Sequence, residues 1–137
     1  MRLRFKKLIS GAKLPTRGSA GAGGIDLYCC GGCKLYHNYK RVPTGIAVEI
    51  PTGYVGLMIT RSSTALDDID VSTTVIDSDY RGQLFVTART KRAGCELTHG
   101  QRIAQLVILP LPHFTPEWAD DLSATARGTG GYGSTGR

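Results

Sequence analysis

Two carboxylates, a phenol and a guanidinium fall within one short run, Asp77-Ser78-Asp79-Tyr80-Arg81, bounded by apolar Val75-Ile76 on one side and by Gly82 on the other. A carboxylate within one hydrogen bond of a water can take its proton, and an aromatic ring can wall a small-molecule site. The run therefore holds the parts needed to activate water beside a bound ligand. Val75-Ile76 reads as the end of a buried strand, Gly82 as a turn residue, and Leu84-Phe85-Val86 as the next strand. Asp77 and Tyr80 would then sit on a short connection held at both ends, where catalytic groups concentrate. Taken alone, the run reads equally well as a hairpin turn with solvated Asp and Arg side chains.

Other segments carry chemistry of the same kind. Arg61-Ser62-Ser63 precedes Thr64-Ala65-Leu66. A hydroxyl at 62 or 63 can cap the first amides of a helix of one or two turns, and a helix amino terminus offers unpaired N–H groups to an anion. Arg61 could bind phosphate directly or pair with a carboxylate such as Asp26, in the run Ala22-Gly23-Gly24-Ile25-Asp26-Leu27-Tyr28. Gln105 is the one polar residue between Ile103 and Leu109. Buried without a partner it would cost free energy, so it requires one. The run from Gly128 to Gly133 matches GxGxxG, but no strand precedes it and the few residues after it leave no room for a helix. The same stretch mimics a Walker A frame, with Ser134 where the lysine must stand.

The elements that must position these groups are short strands. Ile46, Val48 and Ile50 alternate, as do Val55, Leu57 and Ile59, with Pro51-Thr52-Gly53 between them. They read as two strands and a turn. Ile103 to Leu109 reads as a strand buried on both faces and stopped at Pro110. Turn residues recur at Gly21 to Gly24, Gly31-Gly32, Pro43 to Gly45, Gly94 and Gly100, a spacing that argues for an all-β domain with one brief helix. Pro112 and Pro116 keep the segment after Pro110 out of any central strand, so it should run over the surface. By composition alone, the glycine-rich residues 127–137 read as a disordered tail.

A chain of 137 residues fits one domain and can bury roughly two-thirds of its unfolded surface. Its amino terminus, MRLRFKKLIS, lacks the apolar block of a secretion signal, and no apolar run is long enough to span a membrane, so a cytoplasmic protein is expected. Of the 4 cysteines, Cys29, Cys30 and Cys33 lie in the run CCGGC and Cys95 lies far away. A single CxxC is half a zinc site, and His37 is its one candidate additional ligand, so reduced thiols without a metal are expected. The net charge of +6 favours an anionic partner, a polyphosphate or a nucleic acid. Basic residues scattered between Arg2 to Lys7, Lys40-Arg41 and Arg89 to Arg92 read as solvated surface and weigh against a nucleic-acid face.

In order and approximate spacing, five segments resemble the motifs of the trimeric dUTPase family, which hydrolyses dUTP to dUMP and pyrophosphate. They are the runs around Asp26, Arg61 to Ser63, Val75 to Gly82 and Gln105, and the run Arg127-Gly128-Thr129-Gly130-Gly131-Tyr132-Gly133-Ser134-Thr135-Gly136. The resemblance extends from about Leu14 to the end of the chain. It implies a jelly-roll-like (β-clip) sandwich over residues 1–126 and a flexible arm over 127–137 that closes on the active site. By the same resemblance Asp77 is the base that activates water and Tyr80 the ring that leaves no space for a 2′-hydroxyl. Backbone groups from Val71 and Ser72 to Thr74 contact the uracil edge, Ser62 and Ser63 bind phosphate oxygens, and Gln105 helps hold phosphates and water. Arg61 has a supporting role, and Asp26 and Asp79 act behind the contacting groups. Arg127 meets the γ-phosphate, Tyr132 stacks on uracil, and Gly133, Ser134 and Thr135 lie along the phosphates. Mg²⁺ would arrive on the substrate phosphates, without protein ligands, and the active unit would be a homotrimer with shared sites. Thr74 stands where the family usually has glycine, and Ser63 where it often does.

Two other readings share these residues. The dCTP deaminases have a similar Arg-Ser-Ser run, but rely on a Glu five residues beyond the glycine matching Gly82, where this chain has Thr87. A noncatalytic module that binds nucleic acid or a regulatory protein would keep the nucleotide site as a switch.

Overall fold

The computed structural model describes residues 1–131. In chain order its elements are β1 (Arg4–Lys7), β2 (Ile25–Tyr28), β3 (Cys33–Leu35), β4 (Lys40–Pro43), β5 (Ile46–Glu49), β6 (Tyr54–Ile59), α1 (Ser62–Leu66), β7 (Ile69–Val71), β8 (Thr74–Ile76), β9 (Phe85–Thr90), β10 (Cys95–Leu97) and β11 (Arg102–Pro110). Strands β2, β11, β6 and β8 form one antiparallel sheet in that order, and β4, β9 and β7 form a second. β1 pairs with β5 and β10 with β3, also antiparallel. This is the expected all-β, jelly-roll-like architecture with one short helix.

A single core fills the space between the sheets. Leu27, Met58, Ile76 and Leu106 from the first sheet join Val42, Ile69, Val86 and Ala88 from the second. Side chains as fully enclosed as Leu27 and Leu106 contribute roughly 1.5–3 kcal/mol each. The core fixes both walls of the connection between β8 and β9, because Ile76 is buried immediately before Asp77 and Leu84 immediately before β9.

The strands flanking Pro51-Thr52-Gly53 form as expected, yet β5 and β6 are not paired with each other: β5 takes β1, and β6 takes β8 and β11. In β6 the buried positions are Gly56 and Met58, while Val55, Leu57 and Ile59 are only half-buried. Expected burial of β11 on both faces also fails beyond Leu106: Val107 is half-buried and Leu109 exposed. Register puts these residues on one outer face, Leu57 opposite both Val107 and Val75, and Val55 opposite Leu109. Val75 is 59% exposed there. The sequence carries the apolarity of this face, and the fold of one chain leaves it uncovered.

After β11, residues 111–129 are exposed and lie outside any strand or helix, as the prolines require. The described helices include none long and apolar enough to cross a membrane.

Candidate active site

Ile76 ends β8 in the core, and the chain turns at once: Tyr80 N–H donates to Asp77 O at 3.1 Å. Arg81 tightens the turn through Nη1, which donates to Ser78 O at 2.7 Å and Tyr80 O at 3.0 Å. Asp77 is exposed at this turn, and the Tyr80 hydroxyl donates to Gln83 O at 2.9 Å. The side chains of Asp77 and Tyr80 open onto a cavity of about 260 Å³ between β8 and β9. Thr74, Val75 and Ile76 line one side of it, and Gln83, Leu84, Phe85 and Thr87 line the other. Neither β8 nor β9 hydrogen-bonds to the other, since β8 pairs with β6 and β9 with β4 and β7. Strand backbone from β8 and β9 borders the cleft between them.

Arg41 completes the wall and is the cation among the lining residues. It stands opposite Thr87 in the β4–β9 register, with its guanidinium carbon 4.9 Å from the Phe85 ring centroid. Sequence reading missed it, because Lys40-Arg41 looks like solvated surface and a nonlocal strand pairing brings it to the cleft.

A second constellation forms on the outer face of the four-stranded sheet. Arg61 Nε donates to Asp26 Oδ1 at 2.8 Å, and Arg61 Nη1 donates to Ser63 Oγ at 3.0 Å. Arg102 Nη1 reaches Asp26 Oδ2 at 3.3 Å, a partner that sequence reading did not single out. Gln105 stands opposite both Asp26 and Ile59, and its Nε2 donates to Thr60 O at 2.9 Å. The partner required for Gln105 is thus a backbone carbonyl. Gly24 makes room for that amide: a Cβ at this position would come 3.0 Å from Gln105 Cδ and closer still to Oε1.

Helix α1 begins at the expected residue, but its cap differs from expectation. Arg61 occupies the N-cap with extended backbone, and no side chain caps the amides. The Ser63 hydroxyl is taken up by the Arg61 guanidinium. Ser62 is exposed on the first turn, next to amides that the helix itself leaves without partners. The arrangement supplies N–H and O–H donors around a guanidinium already neutralised by Asp26, which suits an anion with several oxygens.

The remaining candidates divide clearly. Val71 ends β7 and Ser72 N–H donates to Thr87 O at 2.8 Å, so both border the cleft without lining it. Thr74 fits at the start of β8, its hydroxyl donating to Ser72 O at 3.3 Å. Asp79 is exposed and does not line the cleft. Arg127 turns its Nε to Gly130 O at 2.9 Å within its own loop. Tyr132, Gly133, Ser134 and Thr135 lie outside the described residues. Among the described residues, no hydrogen bond or ion pair links the Asp77 cleft to the Asp26–Arg61–Gln105 cluster.

Comparison with known proteins identifies the family. A family model described as dUTPase matches residues 10–136. The deoxyuridine 5'-triphosphate nucleotidohydrolase of Hydrogenobaculum sp. is 38% identical over 142 aligned positions, covering 99% of each chain. The rice protein of the same name is 44% identical, covering 98% of this chain and 80% of its own. Among solved structures, a variant of the Staphylococcus bacteriophage 80alpha dUTPase with dUpNHpp superposes with a TM-score of 0.93 at 26% identity, covering 99% of both chains. A variant of the phage phi11 dUTPase from S. aureus, described for its coordination of a structural Mg(II) ion, gives a TM-score of 0.83 at 23% identity, covering 88% of this chain and 98% of its own. The chain belongs to the dUTPase family.

Proposed function

We propose that this dUTP-hydrolysing enzyme uses Asp77 to take a proton from water, whose oxygen attacks the α-phosphorus of dUTP. The bond to the bridging oxygen of the β-phosphate breaks, pyrophosphate leaves, and dUMP remains. The observation that carries this reading is the position of Asp77: an exposed carboxylate at a hydrogen-bonded turn, lining a cavity of about 260 Å³ together with Tyr80. General-base assistance of this kind is worth about 10² to 10⁴ in rate.

The cleft between β8 and β9 takes the uracil and deoxyribose. Its backbone edges serve the base, and the Tyr80 ring meets the sugar where a ribose would carry its 2′-hydroxyl. Thr87 in the cleft wall argues against deamination, which would require a proton-shuttling carboxylate at that position. The Arg61, Ser62, Ser63 and Gln105 cluster holds the triphosphate, with Asp26 fixing Arg61 and Asp79 supporting the turn. The arm, residues 127–137, closes the site through Arg127, Tyr132, Gly133, Ser134 and Thr135.

No group of three or more His, Cys, Asp or Glu side chains among the described residues is arranged to hold a metal. In this reading Mg²⁺ is carried on the triphosphate, since this ion keeps several waters and accepts substrate oxygens as ligands. Bound there, Mg²⁺ would neutralise phosphate charge, while positioning of the nucleotide falls to the residues above.

A homotrimer with shared sites accounts for the separation of the two constellations. The phosphate cluster borders the uncovered apolar face, because Gln105 and Asp26 lie one row from Val107, Leu57 and Val75. In this reading a neighbouring copy covers that face and supplies the Asp77 cleft that works with this chain's phosphate cluster. Exposed Phe114, Trp118 and Leu122 on the segment after β11 offer further surface for a neighbour.

The direct test is pyrophosphate release with dUTP, UTP, dTTP and dCTP side by side. Rapid release from dUTP alone is expected. Equal turnover of UTP or dCTP, or ammonia release from dCTP, would overturn the reading.

A further inference from the structure

Tyr80 does not hold its orientation by its own hydrogen bond alone. The ring lies across Gly82: a Cβ built there would come 2.6 Å from Tyr80 Cζ and 2.9 Å from Cε2, and closer still to the hydroxyl. Carbon atoms do not approach so closely, so ring and side chain cannot occupy these places together. The backbone of Gly82 is not in the left-handed region. Glycine is therefore not required here for torsional freedom. What it supplies is empty space, filled by the aromatic ring.

We propose that Gly82 is a positioning residue for sugar discrimination: its missing side chain seats the Tyr80 ring against the connection, so that the ring stands as a fixed wall beside the deoxyribose. This rests on the reading of Tyr80 as that wall. Three observations support it together. The atoms that a methyl group would meet are the far end of one side chain and not backbone, so an alanine is accommodated by swinging the ring. The Tyr80 hydroxyl is anchored to Gln83 O, the residue just beyond Gly82, and that anchor is lost when the ring swings. Tyr80 is 42% exposed, so a displaced ring has solvent to move into and the core is untouched.

The consequence concerns specificity more than rate. With the ring displaced, the 2′-hydroxyl of a ribonucleotide meets less obstruction, while Asp77 keeps its place at the other end of the turn. A steric filter built on one small group discriminates by roughly 10 to 200-fold, which sets the range that can be lost.

The test is a double-mutant cycle on the ratio of kcat/KM for dUTP to that for UTP, with Gly82→Ala, Tyr80→Ala and the double variant. Melting curves accompany it to verify folding. Gly82→Ala should lower the ratio about tenfold, with kcat for dUTP within about threefold of the parent. The double variant should match Tyr80→Ala alone, because the glycine acts only through the ring. If Tyr80→Ala leaves the ratio unchanged, the sugar-wall reading fails and this proposal with it. If Tyr80→Ala lowers the ratio while Gly82→Ala does not, or if the two effects multiply in the double variant, the wall stands and the role of Gly82 is refuted. Should Gly82→Ala melt early, Gly82→Ser, read on the same ratio at a lower temperature, carries the same prediction.

Discussion

Arg61 Nε lies 2.8 Å from Asp26 Oδ1, with the two side chains only 19% and 13% exposed. Arg102 approaches the other oxygen of the same carboxylate at 3.3 Å from a far more exposed position. Asp26 thus joins β2, β11 and the start of α1 through one side chain. Replacing it with alanine leaves Arg61 partly buried without its counter-ion, a change that costs about 2 kcal/mol. Urea unfolding of Asp26→Ala should show that loss, together with weaker dUTP binding. A variant as stable as the parent would mean that the pair does not hold the cluster.

Arg41 lies in the cleft wall over Phe85, and no carboxylate pairs with it among the described residues. A guanidinium kept flat by an aromatic face has donors available for the carbonyl oxygens of a base. Arg41→Ala is expected to raise KM for dUTP by about tenfold, corresponding to one charge-assisted hydrogen bond, with kcat nearly unchanged. Steady-state kinetics decide it, and an unchanged KM would return Arg41 to the solvated surface.

If the cleft of one chain works with the phosphate cluster of another, two inactive variants can rescue each other. Chains carrying Asp77→Asn and chains carrying Arg61→Ala should each be nearly inactive alone. Unfolded together and refolded as mixed oligomers, they should regain a sizeable fraction of parental turnover. No recovery, with mixing verified by native mass spectrometry, would place both constellations of one site within one chain.

Burial pushes the Cys29 thiol up from 9.0 to about 11, with the neighbouring Cys33 adding to the shift. The neutral thiol is therefore favoured in the folded chain. Its contribution to stability is complete below pH 9.0 and is lost as pH rises through about 11, because the unfolded chain releases the proton first. Between those values the parent should lose stability more steeply than Cys29→Ala does, measured by denaturant unfolding at each pH. Parallel curves would show that Cys29 ionises alike in both states.

Much of this site is legible in the residues because its signals are local. Val75-Ile76, the polar run after them and Gly82 announce a held connection, and a lone glutamine in an apolar strand demands a partner. What the sequence hides depends on pairing over distance. Arg41 reaches the cleft because β4 lies beside β9, and nothing near Arg41 in the chain says so. Ile46 to Ile59 reads as two strands around a turn, but their partners come from β1, β8 and β11. Local chemistry also offers two uses for one hydroxyl: Ser63 can cap a helix or receive a guanidinium, and the adjacent Arg61 prevails. The apolar run of β11 suggests burial on both faces and Val55, Leu57 and Ile59 alternate in β6, yet the single chain leaves the face that carries Val55, Leu57 and Val107 only half-buried.

The measurement closest to the central claim is the single-turnover rate of dUTP cleavage by Asp77→Asn, taken with its dUTP affinity. Asparagine keeps the shape of the side chain and removes its basicity, so cleavage should slow by about 10² to 10⁴ while binding stays within a few-fold. A variant that binds dUTP and cleaves it at the parental rate would contradict Asp77 as the group that takes the proton from water.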